Sequence, residues 1–352
     1  MDYKLLFEVS VYRKDRISSD KVDKENYIST ENMLPNRGGV EIATTVASAK
    51  MFPAYKKGDI LLSNIRPYFK KIWYADKEGG CSNDVLVVKG NKTVDNKFLY
   101  YVLSDNNFFN YSTVTSKGTK MPRGSKNAIM KYWIPDLDLP TQRKIADILS
   151  SYDELIKANN ERIELLEQAA QELYKEWFVR FRFPGYEAAK FENGLPQGWS
   201  YEKFKDGLTY NTGKLDSNAA VLDGEYSFYT CAKTIYKTNT YCFDGECVLL
   251  GGNNATGDFS LFYANEKLDA YQRTYIVTPQ NQTLSCAYIY FVLKYYLLQF
   301  KTASIGATTK FLTKGMLDKA KILVPDEKTI LRYNEIAKNM FDQIVSLKAK
   351  TE

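Results

Sequence analysis

LPTQRKIADILSSYDELIKANNERIELLEQAAQELYKEW, residues 139–177, holds no glycine and a single proline at its second position, while the sequence on either side is rich in Gly, aromatic and β-branched residues. Within it Ile145, Leu149, Tyr152, Ile156, Asn159, Ile163, Leu166, Ala170, Leu173 and Trp177 follow one another at alternating spacings of four and three. An ordinary amphipathic helix needs only approximate periodicity. A strict alternation is a heptad seam, with Leu149, Ile156, Ile163, Ala170 and Trp177 at a, and Tyr152, Asn159, Leu166 and Leu173 at d. Pro140-Thr141 marks the start of the helix and Pro184-Gly185 its exit. A helix of this length runs roughly 55 Å at 1.5 Å per residue, more than the width of a small domain. The stretch therefore reads as a spacer that keeps two globular regions from sharing one core. Asn159 within the seam is a residue type that fixes register at some cost in stability.

A second seam lies near the end of the sequence. Ile330, Tyr333, Ala337, Met340, Ile344 and Leu347 alternate at three and four, and two matched seams in one chain read as partners for each other. The chain also repeats itself. GDILLSN (58–64) is answered by GECVLLGGN (245–253), and YYVLSDNNFFNYSTVTSKGTK (100–120) by YFVLKYYLLQFKTASIGATTK (290–310). YWIPDLDLPTQRKIADIL (132–149) is answered by KILVPDEKTILRYNEIAKNM (321–340). One unit of globular region plus helix thus occurs twice, too few copies for a solenoid, and implies pseudo-two-fold symmetry inside one chain. GDILLS, KKIWYA and NDVLVVK in the first region, and ECVLL, FSLFYA and RTYIVT in the second, read as strands. The runs 97–109 and 287–300 read as helices, so each region mixes α and β and the class is α+β.

Composition narrows the chemistry. The 352 residues contain no histidine, which removes Ser-His-Asp and Cys-His catalysis and every His-ligated metal site. Five cysteines without regular spacing fit a reducing cytoplasm, and Cys242 and Cys247 read as small buried hydrophobes. The longest apolar run, AYIYFVLKYYLLQF (287–300), is too short to span a bilayer and is broken by Lys294, so no membrane role is expected. No G-x-x-x-x-G-K-[ST] loop is present, nor an Asn-Pro-Pro or Asp-Pro-Pro methyltransferase tetrapeptide. Pro325-Asp326-Glu327-Lys328 has the ingredients of a nuclease metal site. Its acids open the distal helix, however, where the positive helix end favours them. The formal charge of +6 is concentrated in residues 1–139, which hold 22 Lys and Arg against 16 Asp and Glu. Between Asn106 and Pro135 five cations stand without an acid, a local pattern suited to a polyanion.

LPTQRKIADILSSYDELIKANNERIELLEQ (139–168), followed by FRFPGYEAAKFENGLPQGWSYEKF (181–204), resembles the specificity subunit of type I restriction-modification systems. Leu195-Pro-x-Gly-Trp199 looks like the family's opening of a target recognition domain. GDILLSNIRP (58–67) and GTKMPRGSKNAIMKYWIP (118–135) look like motifs inside and at the end of one. The likeness covers nearly the whole chain. It departs in two places: the first region lacks the Leu-Pro-x-Gly-Trp opening, and the distal helix is short. The resemblance implies target recognition domains at 1–139 and 184–325, a central spacer helix at 140–183 and a distal one at 326–352. The helices would form an antiparallel coiled coil between the domains. Each domain would read one half of a bipartite site in double-stranded DNA. The helices would set the spacer and dock two modification subunits. These would bind S-adenosylmethionine and methylate adenine at N6. A restriction subunit, where present, would bring ATP and Mg. No cofactor is expected in this chain, and no catalytic residue.

A reader of DNA needs cations and hydroxyls on phosphates and amide or guanidinium groups at base edges. In the first region the candidates are Ser63, Asn64, Arg66, Lys70 and Lys71 after the GDILL strand, and Lys117, Thr119, Lys120, Arg123 and Lys126 in the GTKMPRGSK loop. In the second they are Asn253, Asn254 and Thr256, then Thr308, Thr309 and Lys310, with Arg273. Because the second region is barely basic, DNA affinity is expected to be weak for the chain alone and to rise in a complex. Asn and Gly in GGNNATG equally suit a plain hairpin turn. Two other readings compete: a coiled-coil scaffold that recruits partners without reading sequence, and a stand-alone nucleic-acid enzyme.

Overall fold

A computed structural model describes residues 2–306 and 308–351. The chain divides into two compact units, Met1–Leu155 and Ile156–Glu352, with the division inside one helix, Leu139–Tyr174, which continues as a π-helical turn at Lys175–Val179.

The first unit opens with the strand Tyr3–Leu5, which pairs antiparallel with Trp133–Pro135. A single helical turn, Leu6–Val9, leads into Ser10–Tyr12, the edge of a four-stranded antiparallel sheet. The order is Ser10–Tyr12, Val85–Gly90, Ile60–Ser63, Ile72–Tyr74. Successive residues of a strand point to opposite faces. Ile60, Leu62, Leu86 and Val88 enter one core with Phe98, Leu99, Leu103 and Phe108 from the helices. Leu61, Val85 and Val87 enter another with Ile28, Tyr55 and Trp73. Burial on both faces is why these strands read as unbroken apolar runs instead of alternating ones. The sequence's single helix over 97–109 is in fact two, Asn96–Ser104 and Asn106–Val114. Asp105 separates them: it ends the first in an extended conformation and caps the second by accepting from the Asn107 N–H at 2.7 Å.

The second unit repeats this plan. Ser200–Lys203 pairs with Lys321–Val324, a turn at Phe204–Gly207 follows, and Leu208–Thr212 forms a sheet edge. Its six strands are ordered Leu208–Thr212, Thr274–Pro279, Phe243–Gly251, Leu261–Ala270, Tyr226–Tyr229, Tyr236–Thr238. The first four match the first unit's sheet one for one. The YKLLFEV start of the chain therefore folds like the segment after Trp199, although it lacks the motif that precedes it. Trp199 packs on Phe178 and donates its indole N–H to Asp326 at 2.9 Å. Asp326 in turn caps the helix Glu327–Lys348 through the Thr329 N–H, so the acids of PDEK begin a helix. Asp138 does the same for the central helix through the Thr141 N–H.

Within the second unit the later turns of Leu139–Tyr174 pack against Glu327–Lys348. Ile163 and Leu166 cluster with Ile344 and Leu347, Arg162 bonds Gln343, and Trp177 meets Tyr333. From Trp177 back to Arg162 the partner advances from Tyr333 to Gln343, so the two run antiparallel. Asn159 is buried, Leu173 and Met340 are half-buried, and Ile330 and Tyr333 lie wholly in the unit's main core. The expected seam is shorter than the heptad pattern: Leu149, Tyr152 and Ile156 are exposed, at 39%, 63% and 38%. The early turns are held by the first unit through Ala146, fully buried Gln142 and the Tyr101–Asp153 hydrogen bond of 2.7 Å. Cys247 is buried as expected, but Cys242 is exposed, because it precedes the strand Phe243–Gly251 that carries Cys247 into the core. Among the described residues no group of acids and cysteines is arranged to hold a metal, and no helix is long and apolar enough to cross a membrane.

Candidate nucleic-acid interface

In each unit the loop after the GDILL-type strand is crossed by the hairpin that follows the helical region. In the first, Ile65 bridges to Arg123, Arg123 bridges to Lys117, and the Gly124 N–H donates to the Asn64 carbonyl at 2.9 Å. In the second, Asn253 pairs with Phe311, Phe311 bridges to Ile305, and the Leu312 N–H donates to the Gly252 carbonyl at 2.9 Å. Adding 188 to 65, 117 and 123 gives 253, 305 and 311. Adding 188 to 118 gives 306, and both Gly118 and Gly306 turn these hairpins at positive φ, 96° and 121°. Side chains other than glycine rarely adopt that backbone conformation. Two loops that lie some sixty residues apart in sequence are thus joined by main-chain hydrogen bonds, twice.

The crossing collects the candidate residues but gives them different tasks. Lys117, Thr119, Lys120, Arg123 and Lys126 are exposed along the first hairpin and the short helix after it. Arg123 faces Asp84 at 3.2 Å, with an exposed guanidinium and a half-buried carboxylate, so the pair is weak and easily exchanged for another anion. Ser63 bonds the Ile65 carbonyl, and Asn64 is only 7% exposed with its Oδ1 unpartnered, so neither is free to reach a groove. Their place is behind the loop because Asn64 is bonded by its main chain to both Asp84 and Gly124. Arg66 and Lys70 hold left-handed backbone conformations, with φ of 50° and 54°, on either side of the Pro67–Phe69 turn. Lys71 is no solvated cation: it donates to the Thr30 carbonyl at 2.7 Å, and burial lowers its pKa.

In the second unit Asn254 is consumed by the turn, its Oδ1 accepting from the N–H and hydroxyl of Thr256 and from the Asp258 N–H. Asn253 is half-buried with Oδ1 unpartnered. Thr308 is exposed, and Thr309 and Lys310 are half-buried, Lys310 pairing through its backbone with Asn254. Arg273 is exposed and lies over the Phe311 ring at 5.2 Å. Phe311 takes the position of Arg123, and Arg273 supplies its carbonyl to the Gly252 N–H as Asp84 does to Asn64. One backbone device thus carries an ion pair in one unit and a cation–π pair in the other. The sequence reading missed Phe311 in the second hairpin, Asp84, which pairs with Arg123, and Arg37 and Asn106, which meet Lys70. The only local signal was the turn chemistry of Asn36-Arg37-Gly38-Gly39.

The whole chain resembles known proteins. The family model described as "Type I restriction modification DNA specificity domain" matches twice, at residues 6–168 and 196–349. The EcoDI specificity subunit of Escherichia coli is 32% identical over 158 residues, which is 45% of this chain and 34% of that protein. The MjaIX specificity subunit of Methanocaldococcus jannaschii is 23% identical over 92% of this chain and 79% of that one. The crystal structure of the S subunit from M. genitalium shares the fold, with a TM-score of 0.65 at 14% identity over 99% of this chain and 91% of that one. Two family matches that together span most of the sequence, each containing one copy of the crossed loops, place the chain in the type I restriction-modification DNA specificity family.

Proposed function

We propose that this chain is the DNA-recognition subunit of a type I restriction-modification complex. The observation that carries the reading is the crossing built twice at one offset, with the same backbone bonds and different side chains. A fixed frame with variable surface groups is what two half-site readers need, since base contacts specify while the frame positions. In the first unit Lys117, Lys120, Arg123 and Lys126 supply phosphate and base contacts. In the second, Arg273, Thr256, Thr308 and Lys310 do so with less charge. The functional division follows the recognition domains 1–139 and 184–325, with 140–183 and 326–352 as helices whose length sets the gap between half-sites. Catalysis falls to partners: modification subunits carrying S-adenosylmethionine, and a restriction subunit with ATP and Mg where the system has one. Such a complex works on cytoplasmic DNA.

The test is co-expression with the modification subunit of a type I system, in a cell without background methylation, with N6-methyladenine mapped by single-molecule sequencing. A bipartite motif is expected. Replacing Lys117–Arg123 with the loop of another family member should change one half and leave the gap unchanged. A complex that forms yet methylates nothing in a defined motif would favour a scaffold that recruits partners without reading sequence.

A further inference from the structure

In the first unit two cations converge on one neutral oxygen. Arg37 Nη2 donates to Asn106 Oδ1 at 2.7 Å, and Lys70 Nζ donates to the same oxygen at 2.9 Å. Neither cation is ion-paired among the described residues. An amide oxygen carries only a partial charge, so it binds both cations without neutralising either. The arrangement is nonetheless built with care. Arg37 is fixed by its Nε bond to the Ser104 carbonyl at 2.5 Å and by stacking over the Phe109 ring at 5.6 Å. Asn36 and Arg37 both sit at positive φ, and their N–H groups bond the carbonyls of Phe69 and Lys70 at 2.8 and 2.9 Å. Two left-handed turns from distant parts of the sequence are therefore docked on each other, and non-glycine residues held in that conformation cluster at ligand sites. Asn106 opens the helix Asn106–Val114. The adjacent Asp105 carboxylate is spent on capping that helix. In the second unit the position 188 beyond Lys70 is Asp258, which is ion-paired with Lys301 at 2.6 Å.

We propose that Arg37, Lys70 and Asn106 form an anion site for one phosphodiester of the DNA backbone, present in the first unit and replaced by an internal ion pair in the second. This rests on the reading of the first unit as a DNA reader. A phosphate oxygen would take the place between the two cations that the amide oxygen fills, with the guanidinium offering its planar fork. The contact carries no base information and registers the first unit on the duplex. It gives the two units unequal shares of the electrostatic affinity.

Asn106→Asp is the decisive variant, because it supplies a resident carboxylate to both cations and keeps the helix start acidic. It is expected to fold with an unchanged or higher Tm. The slope of log K against log salt for a duplex probe should fall in magnitude by about one for each cation withdrawn. Arg37→Gln and Lys70→Gln should each lower it by about one, uniformly across duplex sequences. A second readout needs no DNA: inorganic phosphate titrated at constant ionic strength should move the Arg37 Nε–Hε resonance in the full chain, and not in Asn106→Asp. Unchanged salt slopes in all three variants, or an Arg37 resonance indifferent to phosphate, would overturn the site. A sequence-specific methylation motif together with that result would leave the function standing without the site. Phosphate binding at Arg37 without any motif would leave the site standing without the function.

Discussion

Replacing Gln142 with leucine isolates what fastens the central helix to the first unit. Gln142 is fully buried. Its Nε2 donates to the Leu137 carbonyl at 2.7 Å and to the Thr93 carbonyl at 3.3 Å, and its Oε1 accepts from the Asp95 N–H at 2.8 Å. Leucine is one bond shorter than glutamine, so a small cavity adds to a cost that is chiefly polar. The half-buried Asp95 and Leu137 each lose a partner, for one N–H and one carbonyl, at about 1–3 kcal/mol each, so the variant should lose roughly 2–6 kcal/mol. For a unit of this size that corresponds to a Tm lower by roughly 5–15 °C. Urea unfolding followed through Trp73 and Trp133, both in the first unit, measures it. Amide exchange over Asn96–Ser104 gives a local readout, because Asp95 caps that helix. A loss below about 0.5 kcal/mol, within the range of an ordinary surface substitution, would refute the reasoning. The second unit offers an internal comparison. Asn334 ties the same helix-entrance loop through Thr283 and Ser285, at 2.7 and 2.8 Å, but is only half-buried, so Asn334→Leu should cost less.

The helix pairing in the second unit predicts that Ile163→Ala and Ile344→Ala each cost roughly 2–4 kcal/mol and are coupled by at least about 0.5 kcal/mol in a double-mutant cycle; strict additivity would contradict the packing. Asp326 is partly desolvated, which alone would raise its pKa, but bonds from Thr329 and Trp199 outweigh this and hold it below the usual carboxylate value. Its stabilising contribution is therefore present above the unfolded pKa of about 4 and is lost as pH falls through the lower folded value. Asp326→Asn should remove that part of the acid dependence, and an unaltered stability profile below pH 4 would argue against the cap. Asp84→Asn frees Arg123 from its carboxylate, so duplex affinity should rise and the salt slope steepen by about one, measured by anisotropy across a salt series. No change would mean that Arg123 does not face the phosphates.

Much of this architecture was visible in the residue order. The heptad spacing marked the central helix to within a turn, and the internal repeat located equivalent strands, because local periodicity records which faces must be buried. The break at Asp105 was not visible as a helix end, since YYVLSDNNFFNYSTV is apolar on both sides and only the capping geometry divides it. The seam was over-read at Leu149 and Tyr152, because apolar spacing states that a face can be buried without stating what covers it. At the candidate interface, composition identified the cationic loops. It could not separate Lys117 and Lys120, which are exposed, from Lys71, whose ammonium is tied to a carbonyl.

By itself, then, the sequence determined the repeat, the class of each unit, the long helix and the absence of histidine chemistry, all of which depend on residue type and short-range spacing. Tertiary structure decided the rest. The crossing of residues 64–66 by 117–124, the pairing of Arg37 and Lys70 on Asn106, and the Trp199–Asp326 clasp join segments tens of residues apart. Such contacts form only when both segments are already held by their own sheets and helices. Their partners are chosen by three-dimensional proximity, and proximity leaves no periodic trace along the chain.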